Sequence, residues 1–270
     1  MKPIEPYKTS LSPNNAYWMA TLADLVYHRL DDGSPDEKTI LDRLQAEDDE
    51  FLSVTGASNQ SAQGILVEHD DYFCLAFRGT DELDDWMDNF NVFPQKVFFG
   101  EFHRGFWNSV EDIWEKLETR YRELRESNKR PLFLTGHSKG GAMATVAAAK
   151  LIHRDWPFTS VYTFGQPRAM TAETARIFNV EAKGKFFRFQ NNNDLVTRAP
   201  ARLMGYSHVG TYVHISDDAT ICLEPGFWLR FLDQVDGAMG DLGEIGIDGV
   251  KDHDMKHYLA AVSQWNLVFS

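Results

Sequence analysis

The chain has 270 residues, 43% hydrophobic and 13% aromatic, enough to bury one large core within the usual size of an α/β domain. Its 27 basic and 40 acidic residues leave a formal charge of −13, which disfavours nucleic acid and strongly anionic membrane surfaces and leaves neutral or zwitterionic ligands easier to hold. No stretch approaches the ~20 apolar residues of a membrane span, no charged start leads into an apolar run, and two cysteines, Cys74 and Cys222, make a disulfide framework improbable. These features predict a cytoplasmic chain without Sec export or an integral membrane segment, with both thiols buried as small hydrophobes.

In chain order, Asn14 and Asn15 offer caps for a first helix whose core stripe is Ala16, Met19, Ala20, Ala23, Val26 and Tyr27. Glu37 to Glu50 predicts a second amphipathic helix, its acidic end a solvated face rather than a metal site. Gly64 to Val67 and Tyr72 to Phe77 read as antiparallel strands around a polar turn, the second ending in Arg78-Gly79-Thr80. An acidic and aromatic segment, Asp81 to Gly100, precedes an amphipathic helix from about Gly105 to Ser127. Strand Leu132 to Thr135 runs into Gly136-His137-Ser138-Lys139-Gly140 and an alanine-rich helix, Ala142 to Lys150.

Further strands are expected at Ser160 to Phe164, Lys185 to Phe189 and Thr211 to Ile215, with a short helix around Thr171 to Phe178. An amphipathic stretch, Phe227 to Met239, and a closing helix, Met255 to Phe269, complete the chain. This alternation predicts an α/β fold with a mostly parallel central sheet and helices on both faces. No repeat or linker interrupts it, so residues 1–270 are expected to form a single domain.

Glycines two positions either side of Ser138 allow the sharp strand-to-helix turn that lifts a nucleophilic hydroxyl clear of a sheet edge. With 19 glycines such a pentapeptide arises by chance about one time in ten, but the apolar strand before it and the unbroken helix after it supply the required context. A serine nucleophile needs a histidine base and a carboxylate, in the downstream order Ser, Asp or Glu, His. Asp194, past the strand ending near Phe189, is the candidate carboxylate, an ordinary asparagine-rich turn the alternative.

His253 and His257 stand four apart at the entry to the last helix. His253, at the loop-to-helix junction, is preferred as base over His257, and a metal site at i and i+4 is the weaker reading because no acidic partner has the zincin spacing. Lys139 N–H is the expected first oxyanion donor and Thr80 suits the second, through its N–H and hydroxyl, unless Arg78-Gly79-Thr80 is only a strand-end turn.

Phe77-Arg78-Gly79-Thr80, Asp85-Trp86, His103-Arg104-Gly105-Phe106, the elbow with Gly141, Thr163-Phe164-Gly165-Gln166-Pro167-Arg168, Asn193 through Pro200, and Ser207-His208-Val209-Gly210 occur in order. Together they resemble the class 3 lipases, the fungal triacylglycerol lipase-like branch of the α/β-hydrolases. The resemblance, from about Ala16 to Leu259, implies an α/β-hydrolase fold, a Ser138, Asp194 and His253 triad, a Thr80 and Lys139 oxyanion hole, and cleavage of lipid carboxylic esters. It implies no metal or organic cofactor, and makes His208 structural rather than a rival base.

The chain departs from the family pattern in three ways. Lys139 stands where many members carry an apolar residue, and its cation either assists anionic intermediates or points to solvent. The signal peptide and disulfides of the secreted fungal members are not expected in this chain. Tyr258 lies five residues after His253, as in plant and bacterial relatives, where fungal members place it at three. Residues 81–100, with four phenylalanines between Asn89 and Phe99, are expected to form a lid or pocket wall for transient contact with a lipid interface, with Phe227, Trp228 and Phe231 as a second wall. Phospholipase A1, short-chain carboxylesterase and thioesterase activities are the enzymatic alternatives, and a noncatalytic lipid-binding protein the alternative from another class.

Overall fold

The computed structural model describes residues 2–60, 62–80, 93–223 and 251–265. Among these, eight strands form the central sheet: β1 (Phe51–Asn59), β2 (Ala62–His69), β3 (Phe73–Phe77), β6 (Leu132–His137), β7 (Ser160–Phe164), β9 (Phe186–Asn191), β11 (Thr211–Ile215) and β12 (Ile221–Leu223), side by side in that order. Strands β3, β6, β7, β9 and β11 run parallel; β1, β2 and β12 add antiparallel edges. A four-stranded sheet of β4 (Pro94–Val97), β5 (Gly100–His103), β8 (Met170–Thr171) and β10 (Tyr206–Ser207) lies apart, ordered β10-β8-β5-β4.

The parallel strands are apolar on both faces because each face is roofed by helices. Along β3, Phe73, Leu75 and Phe77 enter one core while Cys74 and Ala76 enter the other; along β6, Leu132 and Leu134 are separated from Phe133 in the same way. The first core is covered by α3 (Arg104–Ser127), α4 (Lys139–His153) and α5 (Ala172–Ala182), the second by α1 (Pro13–Leu25), α2 (Glu37–Glu47) and α6 (Met255–Gln264). On α3 the buried Phe106, Val110, Ile113, Leu117, Tyr121 and Leu124 recur every three or four residues, the stripe that seats a helix on a sheet.

Several elements differ from the sequence expectation. Ser12, not Asn14 or Asn15, caps α1: its Oγ accepts the Asn15 N–H, and Pro13 takes the first helical turn. Asn15 is instead buried, with its side chain paired to the Glu5 main chain at 2.8 and 3.0 Å. Helix α2 stops at Glu47, and Phe51–Asn59, for which no element was expected, is the edge strand β1. Cys74 is buried, but Cys222 is exposed on β12, a short edge strand that no described residue covers on that face.

Residues 94–97, expected within a lid or pocket wall, are tied as β4 to β5 in an antiparallel ladder. The rest of that segment to residue 92, the Phe227 to Met239 stretch with Phe227, Trp228 and Phe231, and the end of the closing helix beyond residue 265 lie outside the described residues. No helix among the described residues is long and apolar enough to cross a membrane.

Candidate active site

Strand β6 ends at His137 and α4 begins at Lys139, so Ser138 alone makes the turn. It does so at φ 56° and ψ −131°, a left-handed conformation that costs a non-glycine residue about 1–3 kcal/mol. The flanking glycines are required by space. A Cβ on Gly140 would stand 2.0 Å from the Phe77 carbonyl oxygen, and one on Gly136 would stand 2.4 Å from the Gly140 main chain. Helix and strand therefore touch backbone to backbone, and the serine is squeezed outward at the C-terminal edge of the sheet.

His253, in the turn before α6, reaches Asp194, just past β9: its Nδ1–H donates to Asp194 Oδ2 at 2.8 Å. The carboxylate is fully buried and also accepts the Tyr258 hydroxyl at 2.5 Å and, through Oδ1, the Val196 N–H at 2.9 Å. Burial alone raises the Asp194 pKa; the adjacent His253 and the hydrogen bonds from His253 and Tyr258 outweigh it, and the net shift is downward. Since Asp194 accepts, a proton sits on His253 Nδ1, and in the neutral ring Nε2 is the acceptor. The pair lies against Gly165, whose φ is +59° and where a Cβ would come within 2.8 Å of both His253 and Asp194.

Both Ser138 Oγ and His253 Nε2 are buried, and neither has a hydrogen-bond partner among the described residues. The Ser138 to His253 contact is thus the leg of the constellation not closed by a hydrogen bond, as is common before substrate binds. The turn carrying Thr80 abuts the nucleophile: a Cβ on Gly79 would stand 3.0 Å from Ser138 Cβ. Lys139 is 6% exposed, so it does not point to solvent. Burial, reinforced by Arg78 and opposed by Asp112, lowers its pKa to about 8.

His257 lies on the exposed side of α6, away from Asp194. His208 is half-buried with Nε2 bonded to the Thr197 carbonyl at 2.8 Å, a structural placement. The asparagine run before Asp194 does more than turn the chain. Asn191 Nδ2 donates to the Asp252 carbonyl at 2.9 Å, and Asn192 Nδ2 and Asn193 N–H donate to the Asp252 carboxylate at 3.0 and 3.2 Å. These three bonds clamp the turn that carries His253. Sequence reading missed them, since the only local signal is the density of side-chain amides.

Among the described residues one cluster has the composition of a cation site, Asp48, Glu50 and His69, at the opposite edge of the sheet. His69 Nε2 faces the two carboxylates at 3.5 and 3.8 Å. The Asp71 N–H donates to His69 Nδ1 at 3.0 Å, which fixes the ring proton on Nε2 and leaves no lone pair there for a cation.

A mostly parallel sheet between helical layers, with a strained serine at a strand-to-helix turn and an Asp–His pair at the same edge, is the architecture of the α/β-hydrolase fold. Residues 74–204 match the model of the lipase (class 3) family, to whose members the chain is similar. Similar curated relatives include the secreted mono- and diacylglycerol lipase A of Penicillium cyclopium, 27% identical over 194 residues, covering 68% of this chain and 58% of the relative. Phospholipase A1-II 1 of Oryza sativa subsp. indica is 27% identical over 228 residues, covering 74% and 56%. The chain spans somewhat over half the length of these relatives. The solved structure of the Rhizomucor miehei triacylglyceride lipase superposes with a TM-score of 0.68 at 21% identity, covering 89% of this chain and 92% of that one.

The cytoplasmic location expected from the sequence is overturned by these relatives. The Penicillium lipase and further fungal ones are secreted proteins, which points outside the cell. The expectation rested on the character of the first residues, which speaks to one targeting route and not to where a protein works.

Proposed function

We propose that this protein hydrolyses carboxylic esters of lipids through an acyl-enzyme on Ser138. The observation that carries the reading is the buried Asp194–His253 pair beside a strained serine whose hydroxyl has no other partner among the described residues. His253 Nε2 takes the Ser138 proton as Oγ attacks the ester carbonyl, and Asp194 stabilises the resulting imidazolium. The N–H groups of Lys139 and Thr80, with the Thr80 hydroxyl, receive the oxyanion. Collapse expels the alcohol, which takes its proton from His253, and a water activated by the same imidazole releases the acid. The scheme uses no metal or organic cofactor.

Neutral glycerides are the favoured substrates, since the Penicillium relative is a mono- and diacylglycerol lipase and the chain carries a charge of −13. The rice relative, a phospholipase A1, supports a second reading with zwitterionic phospholipid esters. Secretion, and transient contact with a lipid interface through the phenylalanines near Phe93, which is 63% exposed, belong to the same proposal.

Hydrolysis of p-nitrophenyl esters from acetate to palmitate, below and above their micelle concentrations, tests it with wild type and Ser138→Ala side by side. A rate that rises with chain length, jumps at the interface and drops by several orders of magnitude in the variant supports a lipase. Serine-dependent turnover confined to short esters supports a carboxylesterase. A folded wild type with no turnover leaves a lipid-binding protein on this fold.

A further inference from the structure

His137, the residue before Ser138, is buried at 6% exposure, and both of its ring nitrogens are engaged. Nε2 lies 2.7 Å from the main-chain carbonyl of His253, and Nδ1 lies 2.8 Å from the Tyr27 hydroxyl, just beyond α1. A carbonyl only accepts, so Nε2 carries a proton. A second proton on Nδ1 would place an imidazolium in a buried site beside His253; burial first, then that neighbour, holds the His137 pKa at about 3. Nδ1 is therefore a lone pair, and the Tyr27 hydroxyl donates to it.

We propose that His137 is a positioning residue for the base: a neutral imidazole, held between the Tyr27 hydroxyl and the His253 carbonyl, that fixes the His253 main chain so that the His253 ring faces Ser138 and Asp194 together. The proposal rests on the ester-hydrolase reading above. Two features of the geometry favour it over a simple space-filling role. His137 is covalently next to the nucleophile and hydrogen-bonded to the residue that bears the base, so one ring fixes the separation of the two reacting groups. Its ring centroid is also 4.5 Å from that of His253 at 34°, so its charge matters when His253 becomes cationic. A neutral ring tolerates that step and a charged one opposes it.

The surroundings keep this arrangement rigid. A Cβ on Gly79 would meet the Tyr27 hydroxyl at 2.2 Å, the His137 carbonyl at 2.9 Å and Ser138 Cβ at 3.0 Å, so the oxyanion turn presses on the same chain of groups. From the far side, Asn191, Asn192 and Asn193 grip Asp252. The base is held between the two.

The test joins steady-state kinetics on a p-nitrophenyl ester with nitrogen-15 histidine NMR on wild type, His137→Phe, His137→Gln and Tyr27→Phe. In His137→Phe, kcat is expected to fall about 10- to 100-fold, KM to change little and the acid limb of the pH profile to move. Gln, whose amide reaches the His253 carbonyl, is expected to restore most of the rate. In wild type the His137 ring is expected to stay neutral with its proton on Nε2 from about pH 8 to about pH 5.

Equal rates for Phe and Gln, or a loss of thermal stability with the pH profile unmoved, overturn the positioning role. So does an Nδ1 proton or a charged His137 at neutral pH, which the NMR reads without any substrate. Should His137→Phe not fold, Tyr27→Phe carries the test: a several-fold lower kcat with a shifted His137 resonance supports the proposal, and no change in either overturns it. A folded wild type that turns over no ester instead removes the ester-hydrolase reading itself.

Discussion

At the residue scale, the Tyr258 hydroxyl is the group whose loss separates holding the carboxylate from holding the helix. It accepts the Asn191 N–H and donates to Asp194, helping to keep that carboxylate ionised. In Tyr258→Phe the folded pKa of Asp194 moves up toward its ordinary value. Activity that needs the carboxylate is then lost at a higher pH as the solution is acidified, with kcat down about tenfold at neutral pH. A kcat profile unchanged on its acid side speaks against that role. In the same assays His253→Ala should cripple turnover, whereas His257→Ala, on the exposed side of α6, should not.

The candidate chemistry-bearing residues were the more legible part of the site: Ser138 stands out by its motif, while Asp194 and His253 had alternatives on position and were joined to it as a triad by the family resemblance. Their supports could not be found that way. His137 reads as the filler of Gly-x-Ser-x-Gly, and its role depends on Tyr27 and His253, each more than a hundred residues distant in the chain. The asparagines before Asp194 read as a turn until Asp252 is placed against them.

At the scale of elements, the sharpest constraint is the contact of α4 with β3. In Gly140→Ala the new methyl would stand 2.0 Å from the Phe77 oxygen and 2.7 Å from its carbonyl carbon, atoms of a central strand that cannot rotate away. The variant is expected to lose about 3 kcal/mol or more, or to fail to fold. Urea unfolding with a wild-type midpoint would show that the helix shifts freely. Elements such as α3, β7 and β11 stand close to their expected positions, α3 because one buried face decides it and the two strands because each is a short run whose neighbours in the sheet are fixed.

Strand β1 was hidden for a local reason. A register shift between Phe51 and Ser53 breaks its two-residue alternation, and its exposed edge needs no apolar run. The β4–β5 hairpin was hidden for a distant one, since β5 gains its second neighbour, β8, only after two helices and two strands have intervened.

At the scale of the molecule, three histidines sit where a charge is strongly disfavoured, and His214 more mildly so. His103, His137 and His208 all have lowered pKa values, about 4, about 3 and well below the usual 6.5, each with burial as the leading cause. The unfolded chain binds protons at these groups from about pH 6.5 downward, and the folded chain does not until far lower. Stability therefore rises with pH through that window and is lost on acidification. Thermal melts should show a falling Tm from about pH 7 to about pH 5, with as many as three protons taken up per unfolding event. A flat Tm over that range would mean that these rings are solvated in the folded protein.

The Lys2 ammonium donates to the carbonyls of Val262 and Trp265 at 2.9 and 3.1 Å, and the Trp18 indole holds the Lys2 carbonyl at 2.8 Å. The first residues thus form the latch on the last turn of α6, the helix that follows His253 and carries Tyr258. A protease that clipped the chain just after this latch would leave the serine on its elbow and the sheet intact. It would set loose the far end of the helix that anchors the base. Such a nick would act as a brake on turnover, applied from outside the site, to a protein that still looks folded.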